Sequence, residues 1–426
     1  MVTTSAIRKM LPRLEFGYAV IALFALTQGP VYRLWSGSAE SLVVSSRTSL
    51  AHVYFATFMA VQLPALVVVS RTFTVEMLRN RSIQALIALH LWLGCTVLWS
   101  TLARHSLPEF IALVFTTSFG VFLALRFRPL QFWWIVLLAM TIGLLLSVVA
   151  VYRVWDTARD LNDGSWIGIY YNRNSLAPVA GVASIACPAV HFHGRSGRSS
   201  RRAVLTFLAS LVGVLSVIIL WQAGSRTTPY ALFGASLVAV LYLILQRVMP
   251  HARLGVLSRL GAARLSMGIA AIGVFIILRN AADVSSVPVE TSTFNSRVAL
   301  WSQNWSGFLE KPIQGWGWMA ARYTDEFFRQ GIWWGGFRTE WSHSGYHDVL
   351  LGGGVIAGVL LLTMIYFGLA PSVRVNESWS EGIQVVTVSF ILIVATQESF
   401  FIGSHFLWAL LIAALAKSAR NDYKSE

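Results

Sequence analysis

Charge is what this sequence has least of. Asp, Glu, Lys and Arg make up only 12% of the 426 residues, while 56% are hydrophobic; a soluble surface needs about twice that share of charge. A soluble globular chain is therefore excluded, and the composition is that of a protein crossing a membrane many times. Cysteine is scarce as well. Cys95 and Cys187 each lie inside an apolar run, which excludes a disulfide framework and leaves both as packing residues. Acidic residues are few, 19 against 33 basic, and no D-x-D occurs, so the carboxylate pair that holds a divalent cation beside a leaving phosphate is missing. There is no repeat of domain-building length and no matched pair of Gly/Pro-broken segments, which argues against an inverted-repeat transporter. The formal charge of +14 is spread in short clusters between apolar runs rather than along one face, so no nucleic-acid partner is expected.

What is present is a succession of apolar runs. A helix needs about 20 such residues to cross roughly 30 Å of hydrocarbon. Twelve runs qualify, near 14–32, 49–70, 83–103, 109–126, 129–151, 175–191, 203–222, 228–246, 265–282, 348–369, 383–399 and 402–417. The last two are separated only by Phe400 and Phe401, so one long or re-entrant segment is the alternative there. The expected fold is thus an all-α integral membrane protein of about twelve transmembrane helices, one polytopic domain over 1–426, with a long external loop at 283–347 between helices 9 and 10. Placing the basic N-terminus in the cytoplasm puts 20 of the 33 basic residues on that side, and both termini inside. No cleavage site follows the N-terminal segment, which reads as the flank of a first span.

The long loop carries most of the remaining polar chemistry. Asn295 or Ser296 can cap a helix over 297–310 that Pro312 stops, and on it Arg297 and Trp301 share a face. A second helix is expected over 320–330, ended by Gly331. Seven of the 17 tryptophans lie in this loop. They read either as an interfacial aromatic belt or as stacking surfaces for sugar rings.

The externally directed candidates include Arg173, Asn174, Arg226, Arg297, Arg338, Glu340, His343, His347, Asp348 and Glu398, with Asp163 and Tyr170 in an earlier loop. All fall at or above the outer membrane boundary. Several arginines around one external cavity suit an anion of several charges, because the guanidinium fork grips phosphate oxygens in pairs. Group transfer outside the membrane has no ATP to draw on and must use a bond already activated on a lipid. Arg226 alternatively caps a helix end, Arg297 alternatively pairs with Glu310 or Glu398, and either histidine alternatively is an interfacial side chain.

The order of motifs is more specific than any one of them. S-R-T at 225–227, R-x-x-x-W at 297–301, P-x-x-G-x-G at 312–317 and H-x-x-Y at 343–346, running into L-L-G-G-G-V-I-A-G, resemble the O-antigen ligase and polymerase superfamily. The resemblance implies a GT-C-like, inverting and metal-independent glycosyltransferase of the inner membrane with its active site on the outer face. It would need no cofactor. Its donor would be a glycan on undecaprenyl pyrophosphate, its acceptor a glycan or lipid-glycan hydroxyl, and membrane lipids its surroundings. Residue by residue, Arg226 and Arg297 match the family's pyrophosphate-binding arginines and His343 its proposed base. Asn174 is similar to the Asn that opens the sixth span. Ser344 stands where the family usually has Asn, and His347 where an aliphatic residue is common. Arg173, Arg338, Glu398 and His347 are secondary candidates, Glu398 as a group holding an arginine in place. The rival is a flippase for an anionic lipid-linked sugar, which would place ionisable residues along the midplane; the span interiors offer His52, His90 and little else.

Overall fold

The structure, a computed structural model, describes residues 4–31, 49–154, 156–160, 163–193, 200–248, 293–321, 333–334, 337–338, 342–369, 378–401 and 403–422. These are almost wholly helical. In chain order the helices are α1 (Thr4–Leu26), α2 (Ser49–Thr72), α3 (Arg81–Cys95), α4 (Ala103–Arg126), α5 (Pro129–Val149), α6 (Arg173–His193), α7 (Ser200–Ala223), α8 (Thr227–Val248), α9 (Thr293–Glu310), α10 (Gly345–Gly368), α11 (Ser378–Val394) and α12 (Phe406–Asp422). A two-residue antiparallel pair, β1 (Trp333–Trp334) and β2 (Phe337–Arg338), lies between α9 and α10.

Twelve spans are not what the described residues contain. Eight helices are long and apolar enough to cross a bilayer among them, and α1 is not one of the eight. The expected span at 265–282 lies outside the described residues. The runs at 383–399 and 402–417 are two separate helices rather than one segment, apolar only over Gly382–Val394 and Phe406–Ala416. The residues between these helices turn although several are apolar, because the turn is packed inside protein; Phe400 and Phe401 are buried there. The expected helix at 320–330 also lies outside the described residues, apart from its first two.

The chain forms two compact units. One comprises residues 1–68, 121–233 and 404–406, the other 69–120, 234–403 and 407–426. In the first, α5 packs against α1 and α6, and α6 against α7. Close approach is possible because α6 presents buried Ala177, Ala180, Ala183 and Ala186. The loop before α6 folds onto this unit: the Trp166 amide donates to the Gln222 carbonyl at 2.9 Å. Tyr170, expected outside, is fully buried, its hydroxyl 3.3 Å from that of Thr27.

The second unit is built around a broken helix. Helix α3 runs antiparallel to α10, with the Ser82 hydroxyl on the Met364 carbonyl at 2.9 Å and the Trp92 indole N–H on the Gly353 carbonyl at 2.7 Å. At Gly354 the backbone of α10 leaves the helix with φ 66°. The segment after α9 occupies the break. The Trp316 amide donates to the Leu351 carbonyl at 2.8 Å, Gly317 to Gly352 at 3.2 Å, and Val355 to the Pro312 carbonyl at 2.7 Å. Backbone freed from a span must be satisfied by other protein, and here a loop does so. The approach requires glycine on both sides: a Cβ on Gly315 would lie 2.7 Å from the backbone of Gly352 and Gly353, and one on Gly354 only 2.0 Å from the Ile313 carbonyl oxygen. The P-x-x-G-x-G and G-G-G motifs are therefore the two halves of one joint, which ties the end of α9 to α10.

Candidate active site

Helix α9 starts at Thr293, ahead of the Asn295 or Ser296 cap expected for it, and stops before Pro312. It packs on α10. The Trp301 indole N–H donates to the Ser342 carbonyl at 3.2 Å and reaches that of His343 at 3.4 Å, while its ring stacks on His347 at 6.3 Å between centroids. One turn earlier on the same face, Arg297 points at the turn that follows α11. Two elements thereby deliver two side chains to a third.

That third element is the turn at 395–398. Its position is fixed from α10: the Gly345 amide donates to the carbonyls of Ala395 at 2.8 Å and Glu398 at 3.0 Å, and the Tyr346 hydroxyl donates to the Leu392 carbonyl at 3.0 Å. Gly345 packs so closely on Phe401 that a Cβ would come within 2.9 Å of its ring. His343, just before α10, adopts φ 46°, a left-handed backbone uncommon for histidine, between the buried Ser342 and Ser344.

Glu398 bridges the two arriving side chains. Its Oε1 accepts from Nη2 of Arg297 at 2.8 Å, and its Oε2 lies 3.2 Å from Nδ1 of His343. Nη1 of Arg297 donates to Oε1 of Gln397 at 3.0 Å. Arg297 is 5% exposed and Glu398 8%, whereas the His343 side chain keeps 20%. Burial pushes the Glu398 carboxyl up, but the His343 hydrogen bond and the Arg297 charge outweigh it and hold the group below the usual carboxylate range. An ionised Glu398 can only accept, so Nδ1 of His343 carries a hydrogen, and the tautomer this selects has its lone pair on Nε2. Arg297 spends two of its five N–H donors on this network, and its buried Nε has no partner among the described residues.

The remaining candidates are placed elsewhere. Arg226 is exposed at the turn before α8. Beside it, the Ser225 hydroxyl donates to Oδ1 of Asn174 at 3.1 Å, so Asn174 at the start of α6 supports the S-R-T turn. Arg173 is taken up by Asp163. Hydrogen bonds from Ser165, and after them Arg173, hold the Asp163 carboxyl below its usual range. Arg338 lies on β2, paired with Trp333, and its side chain lies outside the described residues, as does Glu340. His347 stacks on Trp301 rather than meeting Glu398. Sequence reasoning missed Gln397, a neutral residue in an apolar run that gave no signal.

Residues 211–362 match the family model described as O-antigen ligase. Over this segment the chain is similar to the O-antigen ligase/polymerase superfamily. It is accordingly a multi-pass membrane protein of glycosyltransferase type, acting in surface polysaccharide biosynthesis on lipid-linked glycan and acceptor substrates in general. The O-antigen ligase segment contains Arg226, Arg297, Arg338, His343 and His347, together with the whole α9–α10 joint. Asn174, Gln397 and Glu398 lie outside it. No curated protein gives a significant match.

Proposed function

We propose that this protein transfers a glycan from undecaprenyl pyrophosphate to an acceptor hydroxyl, as an O-antigen ligase does. The observation that carries the reading is the Arg297–Glu398–His343 constellation: a cation suited to a phosphate and a base of defined tautomer, joined by one carboxylate. The acceptor hydroxyl gives its proton to Nε2 of His343, and its oxygen forms the new bond to the anomeric carbon. The bond from that carbon to the pyrophosphate breaks, and the lipid pyrophosphate leaves with the electron pair. A single displacement inverts the anomeric configuration. The leaving group is already a stable anion, so it needs charge stabilisation rather than an acid. With no D-x-D in the chain, arginine is the group suited to that task and the reaction is read as metal-independent. Arg297 and Arg226 are both assigned to the donor's pyrophosphate from the motifs they occupy; the pairing of Arg297 with Glu398, the alternative for that residue, is present as well.

Lysine at either arginine keeps the charge and loses the fork. With roughly 1.5–3 kcal/mol at stake per charge-assisted contact, Arg226→Lys and Arg297→Lys each lower transfer about tenfold or more at equal expression. Unchanged transfer by both variants would leave the arginines as structural residues.

A polymerase of the same superfamily uses the same donor chemistry and differs in taking a growing chain as acceptor. Flippase and chain-length genes beside this one, and product size in a reconstituted reaction, separate the two. The site is assigned to the outer face of the inner membrane, with residues 283–347 outside and both termini in the cytoplasm. Reporter fusions after Gly331 and after Arg202 then report opposite sides; the same side for both overturns this topology.

A further inference from the structure

Gln397 sits in the turn that presents Glu398, with its backbone amide on the Val394 carbonyl at 3.0 Å. Its side chain is half-buried and makes one hydrogen bond, in which Oε1 accepts from Nη1 of Arg297 at 3.0 Å. A guanidinium is donor-only, so the oxygen of the amide must face it and the NH₂ group must face away. That nitrogen has no hydrogen-bond partner among the described residues, yet it is not among the polar atoms sealed from solvent there, as Nε of Arg297 is. Two N–H donors of fixed orientation are thus held beside the one cation of the Arg297–Glu398–His343 network.

We infer that Gln397 is a substrate-contacting residue, whose side-chain N–H donates to a phosphate oxygen of the anionic donor that Arg297 attracts. The inference rests on the donor reading above. A neutral amide adds direction without adding charge. It can fix which oxygen of a pyrophosphate faces Arg297, while the network's carboxylate stays paired with Arg297 and His343. Position 397 lies beyond the segment matched to the family, so the residue is read from this chain's geometry alone.

The discriminating comparison is Gln397→Glu against Gln397→Met, in purified full-length protein in nanodiscs, with undecaprenyl pyrophosphate as the binding probe. If Gln397 only props up Arg297, Glu is the better acceptor and restores binding, whereas Met fails. If its N–H faces the phosphate, Glu loses the donor and sets a negative charge against the anion. Gln397→Glu then weakens binding about 10- to 100-fold and Gln397→Met by less. Both variants keep the acceptor-dependent pH profile of transfer, and thermal unfolding confirms that each is folded. Tight binding by Gln397→Glu, or wild-type affinity in both variants, overturns the inference while leaving the donor reading intact. A wild-type protein that does not bind undecaprenyl pyrophosphate overturns both.

Discussion

His343→Gln loses transfer by about 10²–10⁴-fold while donor binding survives, the range expected when a positioned general base is removed. A sugar hydroxyl is a poor nucleophile, and the loss follows from leaving it without a proton acceptor. Nε2 is the atom of the network suited to take that proton: Nδ1 faces Glu398, the Glu398 oxygens are divided between His343 and Arg297, and arginine cannot accept a proton. His347→Ala costs little, because that ring stacks on Trp301 and belongs to the packing of α9 on α10. Steady-state transfer together with donor binding checks both variants. If the two histidines exchange phenotypes, the assignment is off by one helical turn; if both variants stay active, another base must be found.

Glu398→Gln is expected to be nearly as damaging as loss of the histidine, although it removes no bulk and no hydrogen-bonding atom. Arg297 is donor-only, so the new amide must turn its oxygen to Arg297 and its NH₂ to Nδ1 of His343. Nδ1 becomes an acceptor, the ring hydrogen moves to Nε2, and the base is lost to the wrong tautomer. The corresponding Asp-to-Asn change in serine proteases, where the same tautomer is at stake, lowers kcat about 10⁴-fold. Here the expected loss in kcat is about 10²–10⁴-fold, with donor binding changed far less. Glu398→Asp recovers part of the rate. Glu398→Ala is less informative, since it leaves the Arg297 charge buried without its partner, which costs about 3–5 kcal/mol. A kcat for Glu398→Gln within a few-fold of wild type would show that Glu398 does not set the tautomer.

The same carboxylate makes a prediction about pH. Its value in the folded protein is depressed, so its contribution to stability is present above the unfolded carboxylate range near about 4.3 and is lost only as pH falls through the lower folded value. The stability that Glu398 adds over Glu398→Gln is therefore still present at about pH 5 and shrinks as pH falls through the depressed folded value.

Eight of the twelve expected spans were legible among the described residues, because length and apolarity are sufficient to call for a helix in a bilayer. Helix α9 was legible because Pro312 stops it and because Arg297 and Trp301 fall on one side. The break between α11 and α12 was legible at Phe400 and Phe401, but not that the turn begins by residue 395, since these phenylalanines look like span residues. They are buried against protein, and hydrophobicity does not distinguish that from lipid. Both halves of the Gly joint were visible as motifs, but no periodicity says that a loop glycine will lie across a broken span. In the site, Glu398 was conspicuous as an acid in an apolar stretch and suggested a partner for an arginine. Its second contact, to His343, depends on a left-handed histidine backbone that no residue type announces. Gln397 was silent for the opposite reason: a neutral amide carries meaning only once its neighbour is known to be a donor.

The central claim is that this protein cleaves a lipid pyrophosphate–glycan bond by direct displacement. It is tested most directly with purified protein in liposomes, supplied with an undecaprenyl-pyrophosphate-linked glycan and an acceptor in the presence of a chelator. The account predicts one undecaprenyl pyrophosphate released per glycan transferred, and a product of inverted anomeric configuration. Movement of the lipid-linked glycan across the bilayer with its pyrophosphate bond intact would contradict it, as would a product of retained configuration.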